Sequence, residues 1–296
     1  TIENNQIQNN NRYPVTIDLE GISSSETFSE ITRNTFEGNY LSNHVCLLGY
    51  VRNDLTIPEN IYVTDVINIE EGRTLTLSPG VTFLSLKTIY LSGKLNIDGT
   101  EENPVTTTSF YDSEYGGSGV IDRKQYWGGI YTASRSEIDA NYLHLKYAYS
   151  GIKLSTTIKL TNSKISNCEY GIEISQSSLS HLPEMTIKYN SFSNNEWAVF
   201  VHIGCAGVID LTDNYWNSVY GPGYGIALPK TDEWFTEVVM PEFTCPGEKI
   251  VWYDSYYWYG YDKNPVTILY SPYLGSEVTI GNQLSKRQGT YAPTGN

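Results

Sequence analysis

Apolar and polar residues alternate through most of this chain, and the alternating stretches return at long, regular intervals. One phrase recurs: an aliphatic residue, two fillers, Asn or Ser, one filler, then a bulky apolar residue. It stands at Ile2/Asn5/Ile7, Ile31/Asn34/Phe36, Ile138/Asn141/Leu143, Leu160/Ser163/Ile165, Ile187/Asn190/Phe192 and Leu211/Asn214/Trp216. In the later copies the central position steps from 141 to 163 to 190 to 214. Such a period belongs to a solenoid, in which a single coil cannot bury its own apolar face.

A second alternating run follows each later phrase: Gly151-Ile152-Lys153-Leu154, Gly171-Ile172-Glu173-Ile174, Ala198-Val199-Phe200-Val201 and Gly225-Ile226-Ala227-Leu228. Aligned, Ile152, Ile172, Val199 and Ile226 form one inward column, and Leu154, Ile174, Val201 and Leu228 a second. Lys153, Glu173, Phe200 and Ala227 point outward between them. A period of two is strand geometry, and helical spacing is not sustained. The small residue opening each run suits a corner where a Cβ would crowd the bend. Asn side chains stacked at about 4.8 Å can bond one another and the corner backbone.

Between residues 55 and 108 the Asn phrase is missing, but Ile67/Ile69, Leu75/Leu77, Ile89/Leu91 and Leu95/Ile97 keep the alternation, with Pro79-Gly80 and Asp98-Gly99 as turns. Longer loops interrupt at 110–126 and 175–183, and insertions on a solenoid often carry function. From about Pro229 the repeat fades into an aromatic segment punctuated by Pro and Gly. The expected architecture is all-β: a parallel β-helix over residues 1–228, with residues 229–296 an irregular, aromatic-rich arm of the same domain that caps open strand edges. Because a repeat already includes Ile2 and no Met opens the chain, a longer or processed parent is also expected.

Charge and composition narrow the function. The net charge of −14 argues against nucleic acid or an anionic membrane as partner. No apolar run approaches the roughly 20 residues of a membrane helix. Charged residues are 18% of the chain while tyrosine alone counts 25, which suits an extracellular, β-rich protein. Cys46, Cys168, Cys205 and Cys245 lack metal-ligand spacing. They are read as buried thiols, or with Cys205 and Cys245 bridged to tie down the arm.

The catalytic candidates are thin. Asp210 and Asp213, three apart, face opposite sides of a strand unless the chain turns between them. Glu70-Glu71 and Glu101-Glu102 precede turns. Lys153 and Glu173 read as a cross-coil ion pair. Lys159 and Lys188 sit in similar Thr-Ile-Lys contexts and could be neighbours. Asp122-Arg123-Lys124 lies in a loop with no evident carboxylate partner. His44, His144, His181 and His202 are scattered. No catalytic set, metal or cofactor is expected.

The aromatic residues offer more. The residue before each small corner residue gives a column of Ser150, Tyr170, Trp197 and Tyr224, either a ribbon of rings for the apolar faces of sugars or mere corner packing. Trp252, Tyr253, Tyr256, Tyr257, Trp258, Tyr259 and Tyr261 crowd a ten-residue stretch, and Tyr220 and Tyr224 flank a Gly-Pro-Gly turn. These eleven aromatics, Tyr170 and Trp197 included, are the candidate ligand-binding residues.

Three stretches resemble the secreted right-handed parallel β-helix repeat proteins of bacteria, the pectate-lyase-like superfamily in its broad sense. They are Gly72 to Val81 with Leu95 to Val105, Tyr126-Trp127-Gly128-Gly129-Ile130, and Asn214-Tyr215-Trp216-Asn217 followed by Gly221-Pro222-Gly223. The resemblance implies that fold, while the hydrolase motifs of polygalacturonases have no counterpart here. In character the chain is similar to the tapirin-like cellulose-binding adhesins, which implies a secreted or cell-surface, non-catalytic protein gripping an uncharged plant polysaccharide. A lyase or hydrolase working in a side groove between the two long loops is the alternative, and a structural surface-layer role the third.

Overall fold

The computed structural model describes residues 3–23, 25–31, 33–117, 119, 121–175, 184–202, 205, 207–229, 238–239, 247–253, 266–270, 273–274 and 287–288. Alternation does what the sequence requires. In a first sheet, Leu55–Ile57, Thr74–Leu77, Lys94–Asp98, Glu137–Asn141, Thr157–Thr161 and Met185–Lys188 lie parallel in chain order. Their registers stack Leu55, Leu75, Leu95, Ile138, Ile158 and Met185 in one inward column, and Ile57, Leu77, Ile97, Ala140, Leu160 and Ile187 in the next. All but Met185 are buried. Each Leu or Ile so placed stabilises the fold by about 1.5–3 kcal/mol relative to exposure.

Two further runs of parallel strands are joined through one long strand, Ile61–Ile69. Its first half pairs with Thr82–Ser85 and its second half with Thr88–Leu91. From Thr82–Ser85 the second run continues through Val105–Ser109, Leu143–Lys146, Lys164–Ser166 and Ser191–Ser193. From Thr88–Leu91 the third continues through Trp127–Thr132, Ala148–Leu154, Tyr170–Ile174 and Trp197–Val201. The chain thus visits the first, second and third runs in turn and repeats. The architecture is all-β with long parallel sheets, compatible with a parallel β-helix, and its described residues include a short α-helix, Glu26–Ile31, which buries Phe28. Among the described residues no helix is long and apolar enough to cross a membrane.

The corners around the second run explain the recurring Asn. Tyr142, Asn162, Tyr189 and Asp213 are left-handed at φ of 50°, 51°, 60° and 62°, and Tyr147, Asn167 and Asn194 repeat this five residues later at 54°, 55° and 57°. Behind each first corner sits the ladder residue. Asn214 Oδ1 accepts the backbone N–H of Asn190 at 2.9 Å, Asn190 Oδ1 that of Ser163 at 3.0 Å, and Ser163 Oγ that of Leu143 at 2.9 Å. All three side chains are buried, so the ladder satisfies donors that the bend would otherwise orphan.

This geometry corrects one alignment. Asn141 pairs with Thr161, not with Ser163. The ladder position of its coil is Leu143, so the Ile138/Asn141/Leu143 phrase is displaced by two residues from the true repeat. The small corner residues behave as expected. A Cβ on Gly151 would stand 2.5 Å from Gly171 O, and one on Gly171 2.6 Å from Ala198 O.

A second correction concerns the rung after Trp197–Val201. Lys249–Tyr253 occupies it, with Ile250 opposite Val199, and Gly223–Pro229 lies one rung beyond. Likewise Val266–Leu269 pairs in parallel with Gly207–Asp210. Two strands from beyond residue 229 therefore extend the parallel ladders where the sequence pattern had faded.

Candidate functional site

The outer face of the third run collects the chemistry. Register defines one outward column of Tyr50, Asn68, Tyr90, Tyr131, Lys153, Glu173, Phe200 and Val251. Neighbours in such a column stand about 4.8 Å apart along the backbone. Tyr50 and Tyr90 are 44% and 45% exposed, and Tyr131 is half-buried with its ring edge-on to Tyr90 at 5.9 Å. Lys153 Nζ lies 5.6 Å from the Tyr131 ring centroid, within cation–π range.

Further along, the same column turns inward in character. Glu173 is buried although it sits on the outside of its sheet. Its Oε2 accepts the Ser150 hydroxyl at 2.5 Å, and its Oε1 faces Lys153 Nζ at 2.8 Å and His202 Nε2 at 2.7 Å. Burial pushes this carboxyl up, but the bonds from His202, Lys153 and Ser150 outweigh it and hold it at about 2. The expected Lys153–Glu173 pair is thus present, with its acid end out of water. A carboxylate held so low is a poor proton acceptor near neutrality. The Ser150 hydroxyl donates its hydrogen bond to that carboxylate, which at so low a pKa is too weak a base to activate it. The cluster is built to fix side chains, with Glu173 clamping Lys153 and His202 beside the rings.

The aromatic candidates fall into three groups. Tyr170 and Trp197 stand opposite one another on adjacent rungs, as the column required, with Ser150 next in register. Both are half-buried and pack edge-on against Phe200 at 5.1 and 6.2 Å, and Lys249 Nζ stands 5.3 Å from the Trp197 ring. Tyr224 does not continue this column. It lies opposite Ile250, in register with Val199, because Lys249–Tyr253 intervenes. Its ring packs on Tyr270 at 4.8 Å, and Tyr220 nearby is 71% exposed. Of the dense cluster, Trp252 and Tyr253 belong to the strand Lys249–Tyr253. Tyr256, Tyr257, Trp258, Tyr259 and Tyr261 lie outside the described residues.

The other candidates resolve differently. Lys159 and Lys188 are out of register by two residues, and each meets an acid: Lys159 Nζ is 3.1 Å from Asp139 and Lys188 Nζ 2.9 Å from Asp210. Asp210 also accepts from Thr212, while Asp213 is a left-handed corner residue. Arg123 has two partners, Glu169 at 2.6 Å and Glu196 at 2.8 Å. The 110–126 loop packs Phe110 against Cys46, Val63 and Leu84 on the outside of the second run. Most of its proposed groove partner, residues 176–183, lies outside the described residues, as does Cys245. Cys46 and Cys168 are buried thiols whose pKa burial pushes up to about 12, and Cys205 is buried with its Sγ 3.8 Å from Ile174 O.

Sequence reasoning missed Tyr50, Tyr90 and Tyr131. Their signal was present: each occupies the outward slot just before or between residues of the inward columns, as in Ile89-Tyr90-Leu91. Extending the column from Lys153 toward lower numbers finds them. Compared with protein-family models, curated proteins and solved structures, the chain gives no significant match.

Proposed function

We propose that this chain is a right-handed parallel β-helix, of the pectate-lyase-like kind, that binds an insoluble, uncharged plant polysaccharide such as cellulose without cleaving it. The reading makes it a secreted or cell-surface adhesin, similar in character to the tapirin-like cellulose-binding proteins. One observation carries the proposal: Tyr50, Tyr90 and Tyr131 share an outward column on a parallel sheet, two of them well exposed. Exposed rings along one outward column can pack on the apolar C–H faces of sugars, while hydroxyls stay hydrated or meet polar neighbours such as Asn68 and Lys153. Tyr170 and Trp197 extend the aromatic character of that face. Glu173, clamped and ionised, supports binding over acid–base chemistry.

The test is depletion from solution by microcrystalline cellulose at low and high salt. The wild-type chain is expected in the pellet under both conditions, and the Tyr50→Ala/Tyr90→Ala/Tyr131→Ala variant in the supernatant with an unchanged melting temperature. A wild-type chain that stays in solution, or release of reducing or unsaturated ends from a polysaccharide panel, overturns the reading.

A further inference from the structure

Three of the left-handed corner residues are tyrosines: Tyr142, Tyr147 and Tyr189, at φ of 50°, 54° and 60°. A bulky side chain is costly there because its Cβ crowds the backbone, whereas Asn, with a short amide that bonds locally, is tolerated. Asn162, Asn167 and Asn194 take equivalent corners, so the bend itself does not call for a ring. Tyr147 has a local reason for one. Its ring packs 6.2 Å from that of Tyr126, and Lys146 Nζ stands 5.7 Å from its centroid. Tyr142 and Tyr189 have no ring or cation partner among the described residues; Tyr142 is half-buried and Tyr189 is 36% exposed.

The registers that set Asn141 beside Thr161 and Thr161 beside Lys188 place the next residues, Tyr142, Asn162 and Tyr189, in one column along the corner between the first and second runs. The order is ring, amide, ring, and the two rings stand two rungs apart, about 9.6 Å along the backbone. On the outer face of the third run, Tyr50, Asn68 and Tyr90 repeat that order at the same spacing. Asn162 Nδ2 donates to Asn141 Oδ1 at 2.8 Å, which fixes the amide between the rings, and its own Oδ1 accepts from no described group. Lys188, next to Tyr189 in the chain, is neutralised by Asp210 at 2.9 Å.

We propose that Tyr142, Asn162 and Tyr189 form a second binding site for an uncharged glycan chain, and that the two sites together bridge separate chains. The inference rests on the glycan-binding reading of the Tyr50, Tyr90 and Tyr131 column. Rings receive the apolar C–H faces of sugars, and the amide between them meets a hydroxyl. The strand Glu137–Asn141, which leads to Tyr142, follows Trp127–Thr132, which carries Tyr131. The second column therefore begins in the coil where the tyrosines of the first end, and it runs on into higher-numbered coils. Because it lies on the corner between the first and second runs, a straight chain along the third run does not pass over it. With two rings against three, the corner site is the weaker. It joins fibrils through many copies acting in parallel and does not retain a single copy by itself.

The test is flocculation of a dilute suspension of uncharged cellulose microfibrils by the full chain, read as settled fibre beside depletion of the protein from solution. The wild-type chain is expected to be depleted and to settle the fibrils. Tyr142→Asn/Tyr189→Asn is expected to be depleted like wild type but to leave the fibrils dispersed. Its melting temperature should equal or exceed that of wild type, because Asn relieves both corners. Tyr50→Ala/Tyr90→Ala/Tyr131→Ala is expected neither to be depleted nor to settle fibrils. A wild-type chain that is depleted without settling the fibrils overturns the inference and leaves the first site standing, as does a corner variant that settles them like wild type. A corner variant whose melting temperature falls by more than about 4 °C also overturns it, since the two rings would then be packing groups. A wild-type chain that is not depleted at all overturns the glycan-binding reading itself, and the second site with it.

Discussion

The low-numbered and high-numbered halves of one outward column differ more than their backbones do. Tyr50, Tyr90 and Tyr131 and, further on, Glu173, Phe200 and Val251 hold equivalent positions in one parallel ladder. The first group presents rings to solvent, while the second is buried, Phe200 at 4% and Val251 at 0% exposure. Backbone register decides which way a side chain points. What stands on either side of it decides whether it meets water. Ser150, Lys153 and His202 close around Glu173, and Tyr170 and Trp197 close around Phe200. Among the described residues nothing comparable encloses Tyr90, whose ring meets the edge of Tyr131.

That difference predicts opposite responses to the same kind of change. Phe200→Ala empties a packed cluster and is expected to lower stability by about 3 kcal/mol in denaturant titration. A loss below about 1 kcal/mol would mean that the outer face around Phe200 is not a packed surface. Glu173→Gln keeps the shape and removes the charge that Lys153 and His202 face. Because both partners are partly exposed, the expected loss is nearer about 1–2 kcal/mol at neutral pH.

The pH dependence sharpens the same point. Folding lowers the Glu173 carboxyl from its usual 4.5 to about 2. Its contribution is therefore fully present above about 4.5 and fades as pH falls toward about 2, where the carboxyl protonates in the folded state as well. Melting temperatures of wild type and Glu173→Gln should converge over that interval. Parallel curves from pH 6 to pH 2 would show that the cluster is not what separates them. Smallest of all, Tyr90→Ala is expected to change stability by less than about 0.5 kcal/mol while weakening retention on cellulose.

Much of the architecture was legible because burial imposes a period of two that composition cannot hide. Leu75/Leu77, Leu95/Ile97 and Ile89/Leu91 occupy the inward columns that alternation assigned to them. The ladder at Ser163, Asn190 and Asn214 was legible too, since a buried corner needs a short polar side chain. Asn141 misled because its coil carries two apolar frames offset by two residues, and only strand pairing chooses between them. Tyr224 misled for a longer-range reason: Lys249–Tyr253 returns from over twenty residues downstream to take the intervening rung, and a local repeat cannot foresee a strand inserted from elsewhere. The burial of Glu173 depends on Ser150 and His202, each from a different rung, so it emerges only in three dimensions.

The most direct test of the central claim is chemical labelling of tyrosine with and without bound glycan. Nitration read by peptide mass spectrometry should modify Tyr50 and Tyr90 readily in the free chain, while Tyr62, buried with its hydroxyl donating to Pro58 O at 3.2 Å, stays unmodified. With the chain bound to cellulose, Tyr50, Tyr90 and Tyr131 are predicted to become protected while the exposed Tyr40 and Tyr220 still react. Unchanged labelling of Tyr50 and Tyr90 on chain that is demonstrably bound would contradict the account.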